Sequence, residues 1–226
     1  MLDQQTVAKI IGEVCIMEKT ITGLELQNKN PNRLNVYLNN EFAFGISRFV
    51  GALLKQGEKL DELSINQLLE KDTREKAYQK ALRFINYQPR SVHEVKEKLE
   101  ELGIGESVID DVVDELIIKN YLNDCEYAEN WIVSRVRSKP RSQGMLRFEL
   151  RKKLILESII EEALKSAPGN EELALRLGKK YLRRFASLDE KEFAKKMTGV
   201  LARRAFPFSV IETALIELKN IRNESI

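Results

Sequence analysis

The stretch from Pro89 to Leu116 reads PRSVHEVKEKLEELGIGESVIDDVVDEL, and it predicts two short helices separated by Gly103-Ile104-Gly105. The same pattern returns after 51 residues and once more after a further 51. The apolar residues that keep register are Val95, Leu146 and Met197; Leu99, Leu150 and Leu201; Ile104, Ile155 and Phe206; and Ile109, Ile160 and Ile211. Self-similarity at a fixed period predicts a helical repeat protein.

Serines mark the predicted helix starts. Ser107, Ser158 and Ser209 each precede a carboxylate by three residues, a spacing that resembles a capping box. Ser91 and Glu94 form the same pattern one helix earlier. We therefore expect each serine to begin a helix and to accept a hydrogen bond from its first turn.

These signals divide most of the chain into three-helix units. The first unit is expected to contain helices at 73–87, 92–102 and 107–119, with Asp72 or Thr73 capping the first and Pro89 stopping it. In the second unit Pro140 takes the place of Pro89, whereas the third has no such proline and its register slips. The predicted units cover residues 72–124, 125–173 and 174–226.

The first 71 residues have a different period. Apolar residues alternate with polar ones in three runs, which predicts a small antiparallel sheet of three strands with a two-residue turn at Asn39-Asn40. A covering helix from Phe49 to Gly57 and a short helix at 60–69 are expected to follow, and residues 6–17 form a helix or a strand. The fold class is thus mainly α: three tandem three-helix repeats in a curved array, preceded by the sheet.

Composition excludes several classes of protein. The chain has 226 residues, of which 43% are hydrophobic and 32% are charged, as expected of a helix-rich globular protein. No apolar run reaches the roughly 18 residues that a membrane span requires. The first residues lack the pattern of a secretion signal. We therefore expect a cytoplasmic, monomeric protein.

Catalytic and metal-binding chemistry is hard to place. Cys15, Cys125 and the single histidine, His93, are too few and too scattered for a zinc site. No phosphate-binding glycine loop is present, and His93 has no neighbouring nucleophile to activate. We expect no cofactor, no metal and no catalytic residue, and we expect both cysteines to be buried as small apolar residues.

Charge is unevenly distributed. Residues 131–153 hold eight basic side chains against one carboxylate, and residues 176–204 hold ten against three, while the last helix of the first unit is acidic. Such asymmetry favours a binding surface for acidic protein or nucleic acid. The residues expected to form it are Arg135, Arg137, Arg141, Arg147, Arg151, Lys152, Lys179, Lys180, Arg183, Arg184, Lys195 and Lys196. Trp131 could stack on a base, but its spacing favours a core position.

Two motifs carry a resemblance to a known family. Arg90-Ser91-x-x-Glu94-Val95-x-x-Lys98-Leu99 precedes Leu116-x-x-x-x-Tyr121-Leu122-Asn123-Asp124, and the second unit has Lys139-Pro140-Arg141-Ser142 followed by Leu146-x-x-Glu149-Leu150-x-x-Lys153. Their order and spacing resemble the RecX family of regulatory proteins, over residues 74–220. The N-terminal sheet resembles the extra domain of longer members.

The resemblance implies a non-enzymatic regulator that binds the filament of the RecA recombinase and modulates its ATPase and strand exchange, usually by inhibition, in recombination and DNA repair. It also implies possible contact with single- or double-stranded DNA. Two residues depart from the family pattern, because Asn120 and Leu154 stand where glycine is usual. We expect Asn120 to tolerate a left-handed helix end and the turn at Leu154 to be reshaped.

The residues alone leave a second hypothesis open. Three-helix units with basic helices could bind the DNA phosphate backbone without any recombinase. Arginine suits carboxylates and phosphates equally, so the sequence does not choose between the two partners.

Overall fold

The computed structural model describes residues 18–224. Cys15 and the predicted element at 6–17 therefore lie outside the described residues. The chain divides into two compact units. One contains the described residues up to Arg83 together with Leu99–Val112, and the other contains Phe84–Lys98 together with the residues from Val113 onward.

The first unit contains an antiparallel sheet. Its strands are β1 (Lys19–Gln27), β2 (Asn30–Leu38), β3 (Glu41–Ser47) and β4 (Lys59–Leu60), in the order β3-β2-β1-β4. The three long strands and their register-setting turn are confirmed, since Asn39 and Asn40 have φ values of 51° and 69°. The prediction of three strands missed β4, because a strand of two residues is too short to show an alternating pattern.

The segment after β3 differs from its prediction. A short 3₁₀ turn at Val50–Leu53 stands where a covering helix was expected. Phe49 and Leu53 do not cover the sheet, because 77% and 88% of their surface is exposed. The sheet core instead contains Ile21, Val36 and Ile46, which are fully buried.

One long helix, α1 (Glu62–Tyr87), replaces the two predicted helices at 60–69 and 73–87. Asp72 is therefore not a cap: it lies inside α1, and its buried carboxylate accepts a 2.6 Å hydrogen bond from the Ser47 amide at the end of β3. The same carboxylate pairs with Arg33 of β2 and Lys76 of α1. Asp72, which the sequence predicts to be a helix cap, instead attaches α1 to the sheet.

Eight further helices complete the described chain. They are α2 (Val92–Glu101), α3 (Glu106–Ile118), α4 (Asp124–Ser138), α5 (Gln143–Arg151), α6 (Glu157–Lys165), α7 (Asn170–Phe185), α8 (Glu190–Ala202) and α9 (Phe208–Glu224). Over residues 18–224, no helix is long and apolar enough to cross a membrane. Residue 71 lies inside α1 and residue 173 inside α7, so no change of element marks these two predicted boundaries.

The predicted caps divide into two kinds. The Ser91–Glu94 capping box is confirmed, since the Ser91 amide donates to Glu94 at 3.1 Å and the Glu94 amide donates to the Ser91 hydroxyl at 3.3 Å. The boxes at Ser107, Ser158 and Ser209 are wrong. Helices α3, α6 and α9 begin one residue before these serines, which leaves each serine inside the first turn.

The turns before these three helices keep one conformation. Gly103, Leu154 and Ala205 have φ values of 72°, 52° and 58°, so the left-handed residue recurs at every 51st position. The prediction that Leu154 reshapes its turn is wrong, because its amide donates to Arg151 at 2.9 Å just as the Gly103 amide donates to Glu100 at 2.8 Å. Asn120 has a φ of 57°, which confirms its predicted left-handed helix end.

The second compact unit contains two helical cores. The repeated apolar positions are buried as predicted: Leu146, Leu150 and Ile160 in the core of α4–α6, and Met197, Leu201 and Ile211 in the core of α7–α9. Cys125 is exposed, so its predicted burial is wrong: it occupies the outer side of the first turn of α4. Three helical repeats preceded by a sheet, the predicted fold class, are confirmed.

The left-handed turns make a prediction about stability. Ala205→Gly should raise the free energy of unfolding by about 1 kcal/mol, because a left-handed conformation costs an L-residue about 1–2 kcal/mol and glycine little. Gly103→Ala should lower it by a similar amount, since an added Cβ meets nothing within 4 Å and the cost is conformational only. Urea unfolding followed by circular dichroism measures both changes in the free energy of unfolding. Changes of the same sign in the two variants would contradict the prediction.

Candidate basic interface of the three-helix units

Most of the predicted binding residues of the second three-helix unit pair with carboxylates of the same unit: Arg135, Arg141, Arg147 and Arg151. Glu149 of α5 accepts from the Trp131 indole at 2.9 Å and from the Arg135 guanidinium at 3.1 Å, and it also pairs with Arg141. Arg141 is 7% exposed. It is therefore part of the interior of this unit and not of a binding surface, contrary to the prediction.

The aromatic neighbours of Glu149 complete this cluster. Trp131 packs half-buried at the edge of the core and stacks on Tyr127, with ring centroids 5.9 Å apart. The Arg135 guanidinium lies 4.2 Å from the centre of the Trp131 ring. Burial, reinforced by the charges of Arg135 and Arg204, lowers the pKa of the Arg141 guanidinium. Trp131 thus belongs to the scaffold, as its spacing indicated, and its ring face is already occupied.

Arg147 and Arg151 lie at the surface but are also paired. Arg147 donates to Glu161 at 2.7 and 3.1 Å, and Arg151 donates to the two carboxylate oxygens of Glu157 at 2.7 and 2.8 Å. The hydrogen bond to Glu157 raises the pKa of the Arg151 guanidinium. An external anion would have to compete with these carboxylates. Lys152 rests 4.8 Å from the centre of the Phe148 ring.

A second cluster joins the two sequence motifs. Lys153 donates to Glu94 at 2.6 Å, and the Ser91 hydroxyl donates to the Lys153 carbonyl at 3.2 Å. Burial opposes the charge on Glu94, but the Lys153 ammonium, the Ser91 amide and Arg90 outweigh it and hold the pKa of this carboxyl below its usual value. The motif residues that carry the family resemblance therefore bind one another.

The third three-helix unit presents its cations differently. Lys179, Arg183 and Arg184 of α7 and Lys195 and Lys196 of α8 are exposed. Throughout residues 18–224, no carboxylate pairs with any of these five side chains. Their charge is thus available to an external anion, and we call these five residues the α7–α8 basic surface.

Two predicted residues lie beside the α7–α8 basic surface. Lys180 donates to the carbonyl groups of Arg137 and Ser138 at 2.8 and 3.0 Å, so its ammonium stabilises the carboxyl end of α4. Arg137 is exposed in the last turn of α4. Lys180 is therefore committed to the scaffold, whereas Arg137 is not engaged by a carboxylate of the described chain.

A groove between α7 and α8 gives this surface its shape. It encloses about 640 Å³, and Arg184, Lys195, Lys196 and Arg203 line it together with Tyr181 and one carboxylate, that of Glu192. The predicted site did not include Arg203 or Tyr181. The sequence signal for Arg203 was its place in the basic stretch of residues 176–204. Four cations around an apolar floor are typical of a site that binds an anionic partner.

The family is decided by comparison with known domains. Models of the RecX N-terminal domain and of its first, second and third three-helix domains match residues 19–61, 77–116, 123–164 and 170–215 in turn. The chain belongs to the RecX family of regulatory proteins. The four matches follow the same order as the sheet and the three helical units.

Individual members of the RecX family support this assignment. Regulatory protein RecX of Bacillus velezensis is 33% identical over 199 residues, which cover 86% of this chain and 76% of that protein. The Bacillus subtilis protein of the same name is 31% identical, with 90% of this chain and 79% of that protein covered.

Two solved RecX structures are similar to this chain. A crystal structure of regulatory protein RecX has a TM-score of 0.67 and 28% identity, covering 87% of this chain and 98% of its own. The crystal structure of RecX from Lactobacillus salivarius has a TM-score of 0.57 and 28% identity, and the match covers 66% of this chain and 98% of that one.

Glu149 provides a test of which arginines in this RecX-family chain are structural. Glu149→Ala should lower the free energy of unfolding by about 3 kcal/mol, because it leaves the buried Arg141 charge unpaired. The emission of Trp131, the single tryptophan, should shift to longer wavelength as water reaches the indole.

Glu161→Ala is the matched control, since its partner Arg147 is exposed enough that the loss should stay below about 1 kcal/mol. Equal losses for the two variants in urea unfolding would contradict the structural role given to Glu149.

Proposed function

We propose that this protein binds the helical filament of the RecA recombinase and modulates its ATPase and strand-exchange activities, most often by inhibition. Membership of a family of regulatory proteins supports a binding role without catalysis. The observation that carries the proposal is the α7–α8 basic surface, whose cations pair with no carboxylate of residues 18–224. We place this action in the cytoplasm, where the recombinase works.

The physical basis is a difference in the cost of binding. A cation that is paired within its own chain must give up that pair before it can bind a new anion, so its net gain is small. The five side chains of the α7–α8 basic surface give up only water. Carboxylates of the recombinase and phosphates of the DNA inside its filament both suit these cations. Occupancy of such a surface along a filament would hinder the movements that accompany ATP hydrolysis.

The proposal predicts which cations matter. Lys195→Gln with Lys196→Gln should raise the protein concentration needed to inhibit the recombinase ATPase on single-stranded DNA by about tenfold or more. This follows because each lost contact should cost about 0.7–1.4 kcal/mol of binding free energy. A titration of the regulator into preformed filaments measures this. The two side chains are exposed, so the fold should be unchanged.

The matched control removes two cations from the second three-helix unit. Arg147→Gln with Arg151→Gln should leave inhibition within about twofold, because both arginines are already bound to Glu157 and Glu161. If the control variant lost inhibition while Lys195→Gln with Lys196→Gln retained it, the assignment of filament binding to the α7–α8 basic surface would be wrong. If the unaltered protein had no effect at stoichiometric amounts, the function itself would be wrong.

A second candidate function is binding to DNA without recombinase. The same unpaired cations favour it, since phosphate contacts need no particular sequence. Tight binding to bare duplex DNA that weakens steeply with salt, together with an unchanged recombinase ATPase, would favour this candidate over the first.

A further inference from the structure

The first compact unit contains a second basic groove, which no predicted site residue touches. It lies between the start of β2, the turn after β3 and one face of α1, and it encloses about 1100 Å³. Five cationic residues and one aromatic residue of its lining carry the inference: Arg33, Arg48, Lys76, Lys80, Arg83 and Phe49. Glu75 is the one acidic residue among its described lining residues. The groove is therefore strongly positive, and we call it the sheet–helix groove.

A buried carboxylate anchors the base of the sheet–helix groove. The buried Asp72 carboxylate accepts from the Ser47 amide at 2.6 Å and pairs with Lys76 at 2.6 Å and with Arg33 at 3.4 Å. One carboxylate thus holds two cations, which leaves a net positive charge at the base. It also holds α1 against the ends of β2 and β3, which form the opposite wall.

One wall is a row of cations. Lys76, Lys80 and Arg83 follow one another at four and three residues along α1, so they share a face about 10 Å long. Lys80 and Arg83 are exposed, as is Arg48 on the opposite wall, and none of the three pairs with a carboxylate in the described part of the chain. Such a row can follow the phosphates of an extended chain.

An aromatic ring stands at the rim of the row. Phe49 is 77% exposed and immediately precedes the 3₁₀ turn after β3. The turn lies directly on the sheet core, because a Cβ on Gly51 would approach Leu34 Cδ1 to 2.7 Å and Ile46 Cδ1 to 3.1 Å. The backbone itself fills the space above the core, so the Phe49 ring remains outside it. Its exposure is thus built into the turn.

We propose that the sheet–helix groove binds single-stranded nucleic acid. Phosphates contact Arg48, Lys80 and Arg83, and an unpaired base stacks on Phe49, the combination by which proteins hold single strands without reading sequence. An acidic polypeptide would use the cations but has no need of the ring. A duplex would also leave the ring unused, because its bases are already stacked. The inference does not depend on the recombinase.

The aromatic contribution is tested first, with the full-length protein and no recombinase. Binding of a fluorescein-labelled oligothymidylate of about 16 nucleotides is followed by anisotropy at several salt concentrations. Phe49→Ala should weaken binding about tenfold and leave its salt dependence unchanged, because stacking involves no counterion release. The same variant should leave binding to a blunt duplex unchanged. Phe42→Ala, an exposed aromatic of β3 outside the groove, is the matched control and should have no effect.

The charge contribution is tested separately. Lys80→Gln with Arg83→Gln should reduce the slope of log affinity against log salt by about 1.4, which is roughly 0.7 for each lost phosphate contact. Lys55→Gln with Lys71→Gln removes two exposed cations outside the groove and should leave the slope unchanged. Any oligonucleotide bound by the α7–α8 basic surface contributes equally to all these variants, so the differences report on the sheet–helix groove alone.

Three results would overturn the proposal. Unchanged oligonucleotide binding by both groove variants would exclude a nucleic-acid site there. Equal weakening of single-strand and duplex binding by Phe49→Ala would exclude stacking on an unpaired base. Loss of poly-glutamate binding with oligonucleotide binding retained would assign the groove to an acidic protein. None of these results bears on filament inhibition, which is measured with recombinase present and can fail independently.

Discussion

A single left-handed residue reverses the chain between the second and third helix of each three-helix unit. At Gly103, Leu154 and Ala205 the amide closes a tight turn, and the next residue, apolar in each case, is directed inward. Only glycine adopts this conformation at little cost. That leucine and alanine adopt it shows that burial of Ile155 and Phe206, both 5% exposed, outweighs the strain. The repeat is thus maintained by a backbone conformation rather than by a conserved turn residue.

Pairing by carboxylates determines what the basic residues do. The arginines of α4 and α5 lie near Glu149, Glu157 and Glu161, so much of their charge is satisfied within the unit. The five cations of the α7–α8 basic surface have no such partners among the described residues. Residue counts along the chain are similar in the two regions, yet one region stabilises a scaffold and the other offers charge to a partner. The second sequence motif of the family, residues 139–153, falls in the first region.

Two basic surfaces follow from this distinction, each within one compact unit. The α7–α8 basic surface combines exposed cations with a shallow apolar floor, which suits a folded anionic partner such as a recombinase filament. The sheet–helix groove combines a row of cations with an isolated exposed ring, which suits a flexible strand. The proposed regulator of a nucleoprotein filament would use both kinds of contact, and each surface can be substituted without loss of the core.

The sequence by itself determined the periodicity, hence the three helical units, their buried positions such as Leu146 and Met197, the Ser91 cap and the Asn39-Asn40 turn. These depend on local spacing and on intrinsic backbone preference, which neighbouring residues encode. It could not reveal that Asp72 binds the sheet, that Arg141 is buried, or which cations are unpaired. Those outcomes depend on which polar groups the fold brings together, such as Asp72 with Ser47 and Arg141 with Glu149. The helical period does not encode these partners, because Coulombic pairing depends on distance in space. Only the tertiary structure decided which charges remained available for binding.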